Sequence, residues 1–320
     1  MKTYFIVTID TESDNQWDDY FVRNISLKNL KEIPRLQSLL SRLWVKPCYL
    51  ITYPVATDEY CISMFKEFLS GGSCEIGAHL HTWSTPPVSD NEIKNRTFLH
   101  SLAKHIQKEK FNNLHNTIVD NLKIAPKSYR GGKYSFDLTL LEILEEKGYF
   151  LDTSVTPFNN CSHIGGPDFV DYITVPYFPS RLDVLKRGDF SVLEVPVSID
   201  FDRDMPDRLK KLILRIPLMF HAQGILKRLG LCKLIWLDPS FQTFSEMKTL
   251  VDLIIKKQKS LCINLMFHSS VLLAGASPYN KTEKDVSNFY QKLEAILSYL
   301  INDSGVRNLM PKDFAEMYKR

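Results

Sequence analysis

The stretch TYFIVTID, residues 3–10, is a short apolar run of the kind that forms a buried β-strand, and it ends in an acid. Similar runs recur along the chain, and stretches with the apolar spacing of helices lie between them. The strand-like runs are 3–10, 45–52, 73–79, 149–154, 191–199 and 261–268, and the helical stretches are 31–44, 58–69 and 137–147. This alternation predicts an α/β protein with a parallel sheet and outer helices, either a barrel or a doubly wound sheet.

The composition is that of a globular protein with a large core. Of 320 residues, 44% are hydrophobic and 24% are charged, and the net charge is only +3, which does not favour a nucleic-acid partner. The six cysteines form no CxxC pair, so we expect reduced thiols and a cytoplasmic location. The apolar run near residue 1 is too short for a signal peptide or a membrane anchor. We expect a single domain over residues 1–320.

In both sheet types, ligands bind at the carboxyl ends of the strands, so polar residues there are candidates for a site. The first run ends in Asp10, Thr11 and Glu12. Side chains alternate along a strand, so the two acids point the same way and repel each other unless a cation or proton separates them. Taken alone, such a pair also fits an acidic loop or the metal-nucleotide motif of a glycosyltransferase.

The third run ends in two histidines, His79 and His81, which the same alternation places on one face. Neutral imidazole binds Zn²⁺ and similar ions, and three protein ligands with an open position are typical of catalytic zinc. A single histidine near a strand is more often structural, but two in register beside an acid pair favour a metal site.

The segment SYRGGKYSF, residues 128–136, places Arg130 before Gly131, Lys133 and Tyr134. The glycines would let the backbone approach a ligand closely. Arg130 fits either a surface side chain in a flexible turn or a partner that holds Asp10 ionised.

Two further strand ends carry polar residues. Asp152 follows the fourth run beside small hydroxyl residues, and His268 closes the last run before a Gly/Ser/Pro loop. A histidine so placed suits a general acid or base, because its ordinary pKa is about 6.5.

The ordered set of these pieces resembles the polysaccharide deacetylases, that is, the NodB-homology domain of carbohydrate esterase family four. It is most similar to the WalW-like branch found with lipopolysaccharide biosynthesis. The matching pieces are TIDTES (8–13), KPCYLITYPVA (46–56), EIGAHLHTWSTPP (75–87), SYRGGKYSF (128–136), LDTSVTP (151–157), GGPDF (165–169) and LMFHSSVLLAGASPY (265–279).

The resemblance implies a deformed (β/α) barrel with one divalent metal ion, with zinc the first choice. It implies Asp10 as catalytic base, Arg130 as its buttress and His268 as general acid. The metal ligands are then Glu12 and His79, together with a second histidine.

Two positions depart from the family pattern. Thr11 separates acids that the family has adjacent, and Glu12 takes the place of the metal-binding acid. The family's second histidine would fall at position 83, which is Trp83, so His81 is the expected ligand. The expected substrate contacts are Trp83, Gly131, Lys133, Tyr134 and Asp152.

The implied activity is removal of an N-acetyl or other acyl group from a sugar of a cell-surface polysaccharide or a lipid-linked glycan. Three alternatives remain open: a non-catalytic glycan-binding relative, an amidohydrolase-type metal hydrolase, and a cupin-type enzyme, which the helical segments oppose. Metal analysis would separate the first from an enzyme.

The segment around 203–236 reads as a helical insertion that is both basic and apolar. Its part 208–235 carries seven Lys and Arg residues and no acid. The segment fits a helical pair with a solvated basic face packed over the barrel. It also fits a surface that binds an anionic membrane, at the inner face where lipid-linked intermediates reside.

Overall fold

The computed structural model describes residues 2–14, 25–216, 232–257 and 261–319. Its strands are β1 (Tyr4–Thr11), β2 (Cys48–Ile51), β3 (Glu75–Leu80), β4 (Ser128–Gly131), β5 (Leu151–Asp152), β6 (Leu193–Glu194), β7 (Ile199–Phe201), β8 (Leu234–Trp236), β9 (Cys262–His268) and β10 (Arg307–Asn308). All but β7 and β8 belong to one sheet, and every pairing in that sheet is parallel.

Strand β1 lies at the centre of this sheet. On one edge it pairs with β9 along Tyr4 to Asp10. Strands β10 and β2 share its other edge, since they pair with separate parts of β1, and β3 to β6 continue outward from β2 in order. The register sets Asp10 opposite His268, and His79 opposite Arg130, so four predicted site residues begin on paired strands.

The gap between β6 and β9 is closed by the chain around Ser198 and Leu237. The backbone N–H of Ser198 donates to the Asn264 carbonyl at 3.2 Å, and the N–H of Asn264 donates to Ser198 Oγ at 2.9 Å. Leu237 then bridges Ser198 and Met266 through its own N–H and carbonyl. The sheet therefore curls into a deformed barrel, which confirms the predicted fold class.

The helices surround this barrel. They are α1 (Ile33–Arg42), α2 (Tyr53–Thr57), α3 (Glu59–Ser70), α4 (Asp90–Asn95), α5 (Lys104–Leu122), α6 (Leu138–Glu146), α7 (Asp207–Arg215), α8 (Phe244–Lys257), α9 (Glu283–Ser298) and α10 (Pro311–Lys319). The three helices predicted from periodicity are α1, α3 and α6. Asp58 and Asp137 cap the last two by accepting a backbone N–H, because an aspartate before a helix satisfies a donor that has no helical partner.

One strand prediction needed correction, and one strand was not predicted. The run 191–199 is not one strand, since β6 ends at Glu194 and β7 starts at Ile199. Strand β4 has no apolar run long enough to predict it, yet it forms because its four residues are buried between β3 and β5. Arg130 is therefore not a surface side chain in a turn, and it is fully buried.

The basic insertion lies partly outside the described residues, which exclude 217–231. Within the described part, four of its five cations are paired with acids of the barrel. The pairs are Lys210 with Asp200, Lys211 with Asp171, Arg215 with Asp168 and Asp171, and Lys233 with Glu246. The cations of α7 therefore hold that helix to the barrel instead of forming a fully solvated basic face. No helix of the described residues has both the length and the apolar character to cross a bilayer.

Candidate active site

Three buried side chains converge where β1 and β3 end: Glu12, His79 and His81. Each offers one ligand atom, and these atoms all lie within 4.8 Å of one another. Glu12 Oε2 is 2.6 Å from His81 Nε2 and 3.4 Å from His79 Nε2. The predicted metal group is therefore assembled as expected from the alternation of the two strands.

The strand pairing fixes the orientation of His79. Its Nδ1 lies 2.9 Å from the carbonyl oxygen of Arg130, which can only accept a hydrogen bond. Nδ1 therefore carries a proton, and Nε2 is the nitrogen directed to Glu12 and the cavity. Histidines that bind metals are commonly held this way through the second ring nitrogen.

The group fits a metal ion by its donors and by what they leave unsatisfied. Two imidazoles and a carboxylate are a set that Zn²⁺ binds well. Within the described residues, no hydrogen-bond donor reaches the buried Glu12 Oε1, and such an orphaned anionic atom is costly to bury. Burial, followed by the charge of His79, lowers the pKa of His81 to about 4, so this imidazole is neutral and able to bind at neutral pH.

Asp10 lies beside this group and is held by Arg130. Arg130 Nη1 donates to Asp10 Oδ1 at 2.6 Å, while Nη2 donates to Thr8 and Nε to the Thr153 carbonyl. Burial by itself would raise the pKa of Asp10, but the charges of Arg130, His79 and His268 hold it below its ordinary value. Asp10 is therefore an ionised carboxylate whose other oxygen, Oδ2, is directed toward the histidines.

His268 approaches from β9, on the other side of β1. Its Nε2 lies 3.5 Å from Asp10 Oδ2 and 3.7 Å from Glu12 Oε1. The side chain is 19% exposed, against 2% for Asp10, so it stands nearer the opening of the site. Asp10 and His268 therefore both lie beside the group formed by Glu12, His79 and His81.

These residues line one cavity of about 770 Å³. It contains all the predicted site residues except Arg130 and Asp152. The residues that the sequence did not point to are Lys94, Asn95, Arg96, Phe98, Asn159, Cys161, Ile164, Trp236, Asp238, Phe241 and Tyr279. Most follow other strands or come from loops, and no short motif marks them.

The loop after β4 forms part of the cavity wall through close backbone packing. A Cβ on Gly131 would lie 2.0 Å from the Ser135 carbonyl, and one on Gly132 would lie 2.5 Å from His81 Nδ1. The sequence analysis expected these glycines to let the backbone approach a ligand. In the structure they let this loop pack closely on itself and against the end of β3. The N–H of Gly131 donates to Ser154 Oγ at 2.8 Å, so it is committed within the fold.

Asp152 does not reach the cavity, which corrects its expected role in substrate contact. It is fully buried on β5, where Ser154 Oγ donates to its Oδ1 at 2.7 Å. Its neighbour across the sheet is Glu194. The Asp152 side chain faces the barrel wall and not the cavity. The sequence could not show this, because a strand of two residues has too little alternation to reveal which way a side chain points.

The loop that follows His81 is held by a buried lysine of α5. Lys110 Nζ donates to the carbonyls of Thr82 and Thr85 at 2.9 Å each and also to that of Pro87. It forms an ion pair with Glu92 at 2.9 Å. This arrangement fixes the turn that presents Trp83, whose ring lies 4.2 Å from that of His81.

No family model matches the chain, and no curated protein matches it in sequence. Solved structures do match its fold. A Mycobacterium smegmatis protein assigned to the polysaccharide deacetylases has a TM-score of 0.59 at 13% identity, covering 99% of this chain and 90% of its own. A Parabacteroides distasonis protein assigned as a glycoside hydrolase/deacetylase has a TM-score of 0.64 at 10% identity, covering 99% and 71%.

The PuuE allantoinase also matches, with a TM-score of 0.55 at 9% identity, covering 99% of this chain and 89% of its own. At such low identities these likenesses show a shared fold. The deacetylase-type barrel is therefore established for this chain, and its reaction has to be argued from the site.

Proposed function

We propose that this protein is a metal-dependent hydrolase that removes an N-acetyl or other acyl group from a sugar. The substrate class is a cell-surface polysaccharide or a lipid-linked glycan intermediate. The observation that carries the proposal is the convergence of Glu12, His79 and His81 in one cavity, with Asp10 and His268 beside them. The deacetylase-type barrel supports it as a shared fold.

Glu12, His79 and His81 would hold the metal ion, with zinc the first choice for two imidazoles and a carboxylate. Such an ion would polarise the acyl carbonyl and make water more acidic. The chain's own residues account for the remaining steps.

In this proposal Asp10 acts as the base. Arg130 occupies Oδ1 and keeps the carboxylate charged, which leaves Oδ2 to accept a proton from water. Because Arg130 is fully buried and makes further bonds to Thr8 and Thr153, it also fixes the direction of that oxygen.

His268 is placed to act as the acid. It lies on the solvent side of Asp10, where the leaving amine of a bound sugar would emerge, and it would donate its proton from Nε2. Tyr134 and Trp83 line the same cavity and offer faces on which a sugar ring can stack.

The location in the cell is also part of the proposal. All six cysteines are free thiols, which supports a reducing compartment such as the cytoplasm. Contact with an anionic membrane through 208–235 stays a prediction. The ion pairs of α7 reduce the charge it can offer, so binding to anionic liposomes at low salt would have to involve other cations of the segment.

The test is release of acetate from N-acetylated amino sugars and their oligomers by zinc-loaded protein. Asp10→Asn should reduce the rate about 10²–10⁴-fold, the usual contribution of a general base, because the amide cannot accept the proton. The exposed Asp120→Asn is the matched control and should retain full activity.

Near-normal turnover in Asp10→Asn would contradict the assignment of the base. A protein that takes up no divalent ion on titration, yet binds the oligomers, would instead be a glycan-binding module.

A further inference from the structure

Glu12 lies beyond the end of its strand, and its backbone is held by two side chains from distant parts of the chain. Strand β1 ends at Thr11, one residue before it. The Glu12 N–H donates to Ser269 Oγ at 3.1 Å, and the Glu12 carbonyl accepts from Asn29 Nδ2 at 2.9 Å. The two peptide groups that flank the Cα of Glu12 are therefore both fixed.

The two side chains also bond each other, and their donors and acceptors match. Asn29 Nδ2 donates to Ser269 Oγ at 2.9 Å, and Ser269 Oγ donates to the Glu12 carbonyl at 3.3 Å. A carbonyl oxygen can only accept, so the amide nitrogen of Asn29 has to face it. Both hydrogens of this amide are then used, and so are the hydrogen and both lone pairs of the serine oxygen.

These contacts are shut off from solvent. Asn29 and Ser269 are 0% exposed, and Glu12 is 1% exposed. The loss of either side chain would leave buried polar groups of the other two residues unsatisfied, which is costly. The hydrogen bonds therefore favour a single arrangement of the Glu12 backbone.

Asn29 is itself held in place by Asp14. The Asn29 N–H donates to Asp14 Oδ2 at 3.2 Å, and Ser26 Oγ donates to the same oxygen at 3.1 Å. Asn29 belongs to the 3₁₀ turn Lys28–Glu32, so this turn is bonded to the chain just after Glu12. The amide that supports Glu12 thus has a fixed position of its own.

Ser269 connects this support to the neighbouring strand β9. It directly follows His268, the last residue of that strand, and it begins the 3₁₀ turn Ser269–Leu272. His268 Nε2 lies 3.7 Å from Glu12 Oε1. One serine thus bonds the backbone of the carboxylate residue and is the chain neighbour of the histidine beside that carboxylate.

A glutamate depends on support of this kind to act as a metal ligand. Its side chain has several rotatable bonds, so the position of the carboxylate depends on where the backbone lies. A ligand has to be held within about 0.5 Å of its working position, and this requires packing and hydrogen bonds around it. The contacts of Asn29 and Ser269 fix the base of the Glu12 side chain.

We propose that Asn29 and Ser269 are positioning residues of the metal site. Through the backbone of Glu12 they direct its carboxylate toward His79 and His81. The inference rests on the proposed function, because it concerns a ligand of the metal ion which that function requires. It adds a role for two fully buried residues that the sequence did not point to.

The test measures zinc affinity by competition with a chromophoric chelator, at a temperature where circular dichroism shows each variant to be folded. Ser269→Ala removes the oxygen that accepts from the Glu12 N–H. It should weaken zinc binding about 10- to 100-fold, the usual effect of losing a residue that orients a metal ligand. Asn29→Ala should have an effect of similar size, because the Glu12 carbonyl loses its amide donor. Either variant tests the inference if the other does not fold.

Ser128→Ala is the matched control. Ser128 is 1% exposed and donates to the buried Glu75 at 2.5 Å, so this change also removes a buried hydroxyl group bonded to an acid residue. Ser128 lies at the start of β4, whereas the metal group lies where β1 and β3 end. Its variant should bind zinc as the wild type does. An equal loss of affinity in Ser128→Ala and Ser269→Ala would reflect a general loosening of the fold and would overturn the positioning role.

Cobalt gives a second measurement, which a loss of stability does not change. Co²⁺ in place of Zn²⁺ absorbs visible light, and its absorption bands depend on the number and arrangement of its ligands. Ser269→Ala and Asn29→Ala should alter the bands of the cobalt-loaded protein, and Ser128→Ala should keep those of the wild type. Unchanged bands in both of the first two variants would overturn the positioning role, whatever their affinity.

The outcomes separate this inference from the hydrolase function. Equal zinc affinity in the wild type, Ser269→Ala and Asn29→Ala would remove the positioning role and leave the hydrolase standing. Weakened zinc binding in the two variants, with no acetate released by the zinc-loaded wild type, would do the reverse. A wild-type protein that binds neither zinc nor cobalt would overturn both.

Discussion

Two pairs of buried acids lie in this barrel, and they have opposite electrostatic environments. Asp10 and Glu12 are 1% exposed, and Asp152 and Glu194 are 0% exposed. Around the first pair stand Arg130 and three histidines, and the pKa of each acid is held below its ordinary value even though burial would raise it.

Among the described residues, no cation forms an ion pair with either acid of the second pair, and the charge of Arg130 lowers the pKa of Glu194 less than burial and Asp152 raise it. Burial raises the pKa of Asp152 to about 6 and that of Glu194 well above its ordinary value. Within the described residues, no donor reaches Asp152 Oδ2 or Glu194 Oε2, so a proton shared between the two acids satisfies both. Equal burial thus gives two charged acids at the cavity and, in the wall, two acids that share one proton. The two pairs differ because cations surround only the first.

The largest expected effect in this comparison comes from removing the countercharge of the first pair. Arg130→Met should lower the free energy of unfolding by about 3–5 kcal/mol, because it leaves Asp10 buried and without its cation. Urea denaturation of the metal-free protein measures this. Arg42→Met is the control, since Arg42 is 65% exposed and its ion pair with Glu294 should contribute no more than about 1 kcal/mol. A loss as small as that of the control would show that Asp10 does not depend on Arg130 for its charge.

A second comparison replaces one acid of each pair by its amide. Zinc at 100 times its dissociation constant should stabilise the wild-type protein by about 2.7 kcal/mol. Glu194→Gln should retain this gain, because Glu194 is not one of the three ligands, while Glu12→Gln should lose most of it. Thermal melts with and without zinc give the answer. The same gain in both variants would place the ion elsewhere.

The smallest expected effect is the pH dependence of the second pair. The pKa of Asp152 is raised from 3.8 to about 6, so the folded chain binds this proton more tightly than the unfolded chain. Its contribution to stability is full below pH 3.8 and is lost as the pH rises through about 6. Asp152→Asn should flatten the fall in stability across this range by at most about 1.4 kcal/mol per pH unit.

Glu75 also has a raised pKa, about 7, and contributes a fall of the same sign. It is present in both proteins, so the difference between wild type and Asp152→Asn isolates the pair. The exposed Asp120→Asn should show the wild-type profile. A steeper profile in Asp152→Asn would mean that the pair is charged in the folded state.

The parts of the site that the sequence predicted depend on alternation along single strands. Asp10 with Glu12, and His79 with His81, are each two residues apart at the end of a recognisable strand, and the structure brings these four together. The parallel sheet and the barrel followed from the same strand and helix pattern. His268 could be placed because β9 is a long apolar run with a polar end.

The parts that could not be predicted depend on contacts between distant segments. The pairing of Arg130 with Asp10 was expected, but its strand is too short to show a period, and its burial follows from β3 and β5 on either side. Lys94, from the short helix α4, and Asp238 and Tyr279, from loops, reach the cavity along paths that the local sequence does not specify. Asp152 was misplaced because a two-residue strand does not reveal which way its side chain points.

The contacts of Lys110 with the loop after His81 bear on the order in which the site forms. The Lys110 ammonium group is surrounded by three carbonyls and a carboxylate, as a bound metal cation would be in such a loop. Unlike a metal ion, it is part of the chain, and a chelator cannot remove it. The turn that carries Trp83 is therefore shaped without any ion, and under the proposed function its contact with a sugar would be preorganised in the metal-free protein. Under that function, metal binding and glycan binding would be separate steps, and either could occur first.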